Sequence, residues 1–467
     1  MSFTSLDFLV FFPLVFICYW LLRLPRWQNL FLLAASYLFY GWLHPWYALM
    51  LGLSTLLDHG LARLLLSHPG RRRLWLALSL FLNLGLLAFF KYFNFFAPAV
   101  AAALSAWGWK PDPFLLGLVL PVGLSFYTLK KMSYMLDLSR GALQPARGLI
   151  EYALYVSFFP QLAAGPIDRA QKLLPQIEAP RSWRPELLQN AWPLIVSGFF
   201  KKIVVADSVK VIVDQVFSLN QPGSLLLLSG ALGFTLQILA DFSAYTDLAR
   251  GLALLLGFET SENFRQPYLS LTPTEFWNRW HLTLSSWLRD YIFFPIQRLL
   301  MRLHKRPSRF WLQSIPPLVT MFVSGLWHGA GLTFIVWGLY YGVLITLYQA
   351  AGIRGDWRPV SRWGRGLAWL LMFTLIVFGW AIFRASSLVW LGNSLFHTAF
   401  IRSPEEFMAA LIALSTALFY SLPLLIKWGL DRLPRESWLQ AAWFAAATMA
   451  IILYLNAASP DFIYFQF

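Results

Sequence analysis

Long stretches without Asp, Glu, Lys or Arg dominate the chain. They cover residues 8–22, 27–57, 74–90, 92–109, 113–129, 152–167, 215–240, 310–353, 366–383, 385–401, 407–426 and 437–460. Most are close to the roughly 20 apolar residues that a bilayer-crossing helix needs. Two are too long for a single crossing. The run 27–57 has His44-Pro45 at its centre, and 310–353 contains Pro316-Pro317 with Gly325, Gly329 and Gly331. Each is expected to fold as two helices joined by a turn. The pattern predicts an all-α polytopic membrane protein with roughly 10–13 transmembrane helices, plus shorter re-entrant helices. No internal repeat, heptad pattern or low-complexity tract divides the chain, so residues 1–467 are expected to form a single domain.

Composition narrows this reading. Of 467 residues, 58% are hydrophobic and 13% charged, against about a quarter charged in soluble domains. A soluble enzyme, a disordered protein and a disulfide-stapled secreted domain are excluded. The net charge of +15 would point to nucleic acid in a soluble domain. Here the basic residues fall between apolar blocks, so membrane lipids, not nucleic acid, are the expected partners. Short basic loops mark the cytoplasmic side. Arg23 and Arg26, then Arg63, Arg71, Arg72 and Arg73, then Arg298, Arg302, Lys305, Arg306 and Arg309 are therefore expected inside, and both termini outside. Met1–Asp7 lacks the positive region of a cleavable signal, so the first apolar block is expected to remain as a span. The single cysteine, Cys18, reads as an apolar packing residue.

Ionisable groups inside a bilayer cost roughly 2.5–3.5 kcal/mol each on insertion scales, so each needs a reason. Asp241, Tyr245 and Asp247 form one polar cluster, and Thr274–His281 continuing through Arg289-Asp290 forms another. On a helix, Glu275 and Arg279, and likewise Trp277 and His281, would be i,i+4 partners. A third polar point is His328, which apart from tyrosines is the only titratable side chain in its 44-residue run, 310–353. Two roles stay open for it: a hydrogen-bonded packing histidine, or a general base titrating near neutrality. The other histidines read as loop or helix-end residues. No HExxH, Walker loop or GxSxG occurs, and no histidine pair has tight metal-ligand spacing, so no metal is expected.

Several stretches also match a known family. They are Lys91-Tyr-Phe-Asn-Phe-Phe96, Leu120-Pro-Val-Gly-Leu-Ser-Phe-Tyr-Thr128, Phe158-Phe-Pro-Gln-Leu-Ala-Ala-Gly-Pro-Ile167, Asp241-Phe-Ser-Ala-Tyr-Thr-Asp247 and Glu262-Asn-Phe-Arg-Gln-Pro-Tyr-Leu269. The longest is Glu275-Phe-Trp-Asn-Arg-Trp-His-Leu-Thr-Leu-Ser-Ser-Trp-Leu-Arg-Asp-Tyr291, followed by Gly325-Leu-Trp-His-Gly329 and Phe462-Ile-Tyr-Phe-Gln-Phe467. On these the chain resembles the membrane-bound O-acyltransferases, in the bacterial branch of alginate O-acetyltransferases and cellulose-acetylating relatives. The resemblance implies a ring of helices around a central tunnel in the inner membrane. It implies transfer of an acetyl group from a cytoplasmic thioester, acetyl-CoA or an acylated carrier protein. An extracytoplasmic polysaccharide acetyltransferase would then modify an exported polymer. No tightly bound cofactor is implied. His328 looks like the catalytic histidine, and His281 like the second signature histidine, in chemistry or in positioning. Trp327, Asn278 and Arg279, within the same motifs, are expected to bind substrate.

In one place the chain departs from the family. Where the family often has Phe-Gln, Leu129-Lys130-Lys131 follows Thr128. The two ammonium groups would touch donor phosphates, or form a basic helix end at the lipid surface. The ending reads Phe-x-Tyr-x-x-Phe and resembles an acyl-carrying motif, which makes Tyr464 an expected acyl relay on an outward-facing tail, 461–467. An aromatic interface anchor is the alternative. Two other functions remain: D-alanyl transfer to cell-envelope polymers, and a polytopic transporter, against which the lack of internal repeats counts.

Overall fold

Prolines and glycines set many of the helix boundaries. The computed structural model describes residues 1–109, 120–303, 308–434, 437–455 and 462. Within them the chain is helical, with no strand. The run 27–57 splits at His44-Pro45 into helices Pro25–Gly41 and Pro45–Ser67, each opened by its proline, a residue pre-set for the first helical position. The run 310–353 splits into Arg309–His328 and Leu332–Ala350. The break is at Gly329–Gly331 alone, because Pro316 and Pro317 lie inside the first helix, as prolines in membrane helices often do.

Six helices among the described residues are long and apolar enough to cross a membrane, and two shorter apolar ones flank them, Leu6–Leu21 and Trp438–Tyr454. Exposed apolar side chains on the spans, such as Leu53, Phe81 and Leu418, make the lipid-facing surface. Not every apolar run becomes its own span. Runs 74–90 and 92–109 merge into one helix, Arg72–Ala106, because a lone Lys91 does not interrupt helix geometry. The run 152–167 gives only the short helices Leu149–Ser157 and Phe159–Leu162, buried in protein rather than lipid. Arg298 and Arg302, expected in a loop, lie on the amphipathic helix Phe294–Leu303.

The chain folds into two compact units, Met1–Ile195 with Leu248–Ser261, and Val196–Asp247 with Glu262–Phe467. In the first, the Tyr19 hydroxyl donates to the Leu256 carbonyl at 2.9 Å and Trp20 Nε1 to the Leu255 carbonyl at 3.0 Å. In the second, the helices either side of Gly329–Gly331 pack through glycine. A Cβ on Gly325 would lie 2.3 Å from the Phe334 carbonyl oxygen, and one on Gly338 would lie 2.3 Å from that of Met321. Small residues let membrane helices approach this closely. Beside them Phe276 stacks on Tyr341 at 5.6 Å, and Trp280 lies 4.7 Å from Trp380. Such aromatic pairs contribute roughly 0.5–1.5 kcal/mol each beyond burial.

Candidate functional site

The second unit holds both signature histidines. His328 is the last residue of the Arg309–His328 helix, and the next N–H, from Gly329, closes on the Gly325 carbonyl at 3.3 Å. The turn needs glycine at 329, because a Cβ would come within 2.2 Å of the Phe334 ring. The His328 ring is buried in an aromatic box. Trp337 lies edge-on at 5.0 Å, Phe383 at 5.3 Å and its neighbour Trp327 at 4.8 Å. Rings at those spacings fix the imidazole's orientation and keep bulk water away from it.

Trp327 also reaches the second histidine, whose ring centroid is 6.1 Å away. His281 is buried and meets Phe242 edge-on at 4.7 Å. It precedes the helix Leu282–Leu288 with φ of 44°, in the left-handed region. That conformation is uncommon for a residue with a side chain and tends to collect at functional sites. It also overturns one expectation: Trp277 and His281 do not share a helix face. The helix Pro273–Trp277 ends first, with Asn278 as its C-cap. Burial pushes the His281 imidazole down to about 3, so it is neutral throughout the physiological range.

The other expected site residues divide. Trp327 sits between the histidines. Asn278 lines a cavity of about 170 Å³ with Trp277, Thr320 and Met321. Arg279 is engaged elsewhere: it pairs with Glu275 at 2.7 Å, as the i,i+4 spacing predicts, and donates to the Gln266 carbonyl. Glu275 is buried and also pairs with Arg358 at 2.7 Å. Lys130 and Lys131 belong to the first unit and are both buried, so the lipid-surface helix end is ruled out. Lys130 donates to Gln161 at 3.0 Å, and Lys131 pairs with Asp58 at 3.1 Å. The ammonium groups expected against donor phosphates are thus engaged by protein partners. Tyr464 lies outside the described residues.

The Asp241–Asp247 cluster acquires partners that its own sequence did not show. Lys202, on the π-helical turn Phe200–Ala206, pairs with Asp241 at 3.0 Å and Asp207 at 2.8 Å, and Lys201 pairs with Asp247 at 2.6 Å. Buried Phe462 lies with its ring 4.6 Å from the Lys202 ammonium and 5.0 Å from the Tyr245 ring. The sequence signal for these basic partners was Lys201-Lys202 standing amid apolar residues. Among the described residues, no three His, Cys, Asp or Glu side chains gather as a metal-ligand set.

Comparison with known proteins adds to this geometry. Residues 3–378 match the model of the membrane-bound O-acyltransferase family, a span that includes both histidines. The chain is 36% identical to a probable alginate O-acetylase of Pseudomonas aeruginosa over 392 residues, 83% of this chain and 73% of that protein. It is 31% identical to a peptidoglycan O-acetyltransferase of Helicobacter pylori over 420 residues, 82% of this chain and 77% of the relative. A teichoic acid D-alanyltransferase of Bacillus subtilis is 29% identical over 277 residues, 56% of this chain and 68% of its own length.

Proposed function

The chain belongs to the membrane-bound O-acyltransferase family, and on that premise we propose that it acetylates an exported polysaccharide from within the inner membrane. The acetyl group leaves a cytoplasmic thioester, acetyl-CoA or an acylated carrier protein, and is handed to an extracytoplasmic polysaccharide acetyltransferase. Relatives named for alginate and peptidoglycan O-acetylation support the polymer class. The observation that carries the reading is the buried His328 in its aromatic box, with Trp327 between it and His281.

The chemistry follows from an imidazole held in that setting. An acceptor hydroxyl attacks the thioester carbonyl while His328 takes its proton, and a C–O bond forms. The tetrahedral intermediate collapses, the C–S bond breaks, and the imidazolium returns the proton to the departing thiolate. General-base catalysis supplies roughly 10²–10⁴-fold, and alignment of hydroxyl and thioester supplies much of the rest. His281 stays neutral and fixes Trp327 by ring contact.

A donor carrying phosphates stays in the cytoplasm while the polymer is outside. A tunnel within a ring of helices lets the small acetyl group alone pass between them. The acceptor on this chain is the Tyr464 phenol of the tail 461–467, facing outward. The resulting aryl ester is reactive enough to pass the acetyl group onward. Arg71, Arg72, Arg73 and Arg302 face the cytoplasm. The kinship with a D-alanyltransferase keeps D-alanine as the second acyl group to examine.

The test is ester-linked acetyl in the exported polymer of a deletion strain complemented with wild type or His328→Ala. At equal membrane abundance the variant is expected to give none. Normal acetylation would remove His328 from the mechanism, and D-alanyl ester in place of acetyl would favour the second reading.

A further inference from the structure

We propose that residues 354–360 form a gate at the mouth of the cavity of about 170 Å³ beside Asn278, latched by Arg358 and opened to admit the arm of the thioester donor. The proposal rests on the acyl-transfer reading above. Size is the first argument. The cavity falls below the roughly 300–1,000 Å³ of ligand pockets, so an acylated arm needs a wall to move. Asn278 is exposed while Thr320 and Met321 are buried, so the mouth lies on the Asn278 side.

The segment borders that mouth. Gln349, on the last turn of Leu332–Ala350, lines the cavity, and the chain then leads into 354–360. A Cβ on Gly355 would lie 3.5 Å from Thr274 Cβ and 3.8 Å from Asn278 Nδ2, and both residues line the cavity. The helix Leu332–Ala350 runs antiparallel to Arg309–His328, with Gly338 against Met321 and Gly342 against Leu318. The segment thus returns to the Arg309 end, the side from which a cytoplasmic donor arrives.

Its attachment is what a gate needs. Among the described residues, 354–360 makes no backbone hydrogen bond to the rest of the chain, and its internal one runs from the Trp357 N–H to the Arg354 carbonyl at 3.1 Å. Its polar side-chain tie is Arg358, which pairs with Glu275 Oε1 at 2.7 Å. Arg358 is 46% exposed, and ion pairs so open to water are weak. Releasing it strands no buried charge. Glu275 keeps Arg279 on the same oxygen at 2.7 Å and the Leu271 N–H on the other at 2.9 Å. Gly352, with φ of 76°, stands just before the segment as a hinge.

The test starts from Cys18→Ser protein in proteoliposomes. Thr320→Cys places a thiol on the buried side of the cavity, and its modification by a small water-soluble thiol reagent reads opening without any substrate. Adding Arg358→Ala is expected to speed modification about two- to fivefold, the population shift from losing one exposed ion pair. With Thr320 native, Arg358→Ala should lower KM for the donor by a similar factor, because apparent affinity scales with the open fraction. A phosphate contact by Arg358 would instead raise KM, and a purely structural role would lower kcat alone. Thr274→Cys with Gly355→Cys gives a second route, since the Cβ atoms would stand 3.5 Å apart, within the roughly 3.5–4.5 Å of disulfides. The crosslinked form should release thiol at background and recover on reduction, which decides the matter if Arg358→Ala does not fold. Unchanged or slower modification, an unchanged or raised KM, or full activity of the verified crosslink would overturn the proposal. Absence of thiol release by the Cys18→Ser parent with both donors would count against acyl transfer, and the modification rates would still decide the gate.

Discussion

A single methyl group at Gly325 tests whether the packing that places His328 is as tight as the structure requires. A Cβ there would sit 2.3 Å from the Phe334 carbonyl oxygen, whereas ordinary contact begins at 3.4 Å. The obstacle is backbone, so no side-chain rotation relieves it. The helices Arg309–His328 and Leu332–Ala350 must part by about 1 Å, an overpacking strain of about 1–3 kcal/mol. Gly325 lies one turn before His328, and its carbonyl holds the Gly329 N–H. The displacement therefore moves the imidazole relative to Trp337, which sits on the opposite helix. A shift of about 1 Å at a reacting group costs on the order of 100-fold in rate. Gly325→Ala is expected to insert into the membrane and lose about that much acetylation. Gly366→Ala is the control, since no heavy atom lies within 4 Å of its added Cβ. Polymer-bound acetyl is followed over time in a complemented deletion strain, normalised to membrane abundance, with thermal melting of both purified variants. Wild-type activity and melting for Gly325→Ala would refute the reasoning.

The C-terminal tail offers a paired test. Phe462→Ala removes the ring between Lys202 and Tyr245, a cation–π contact worth about 0.5–2 kcal/mol, and should cut acetylation several-fold, with Phe462→Tyr retaining most of it. Tyr464→Phe should abolish transfer outright if the phenol is the relay, and a normal rate would leave it an anchor. For His281, burial lowers the folded-state pKa to about 3, so the unfolded chain binds more protons below its ordinary value near 6.5. Stability should therefore fall as pH drops from about 6.5 toward 3, with His281 contributing up to about 1.4 kcal/mol per pH unit. His281→Gln should show a shallower loss of melting temperature over that range, and an unchanged slope would contradict the assignment. On a Cys18→Ser background, Arg302→Cys should react with a thiol reagent only from the cytoplasmic side, and labelling from outside would reverse the orientation.

What the sequence made legible was whatever is written in local backbone chemistry. His44-Pro45 and Gly329–Gly331 marked real helix breaks, because proline and glycine act on their own residues. Lys91 misled, because charge marks the cost of membrane insertion and not the end of a helix. The run 152–167 misled for a related reason: a segment buried in protein is as apolar as one buried in lipid. His328 stood out as an isolated imidazole, but Trp337, Phe383 and Phe242, which box the histidines, were hidden among 23 tryptophans and 41 phenylalanines. The partners of Lys131 and Lys202 were equally hidden. Asp58, Asp241 and Phe462 are distant along the chain, and no spacing rule joins them.

The central claim is that His328 drives acyl transfer out of a thioester. The most direct measurement is thiol release from acetyl-CoA, and from an acetylated carrier protein, by the purified chain in proteoliposomes. The account predicts release above the lipid-only background with at least one donor for the wild type, and release at background for folded His328→Ala. Equal thiol release by the two proteins would contradict it.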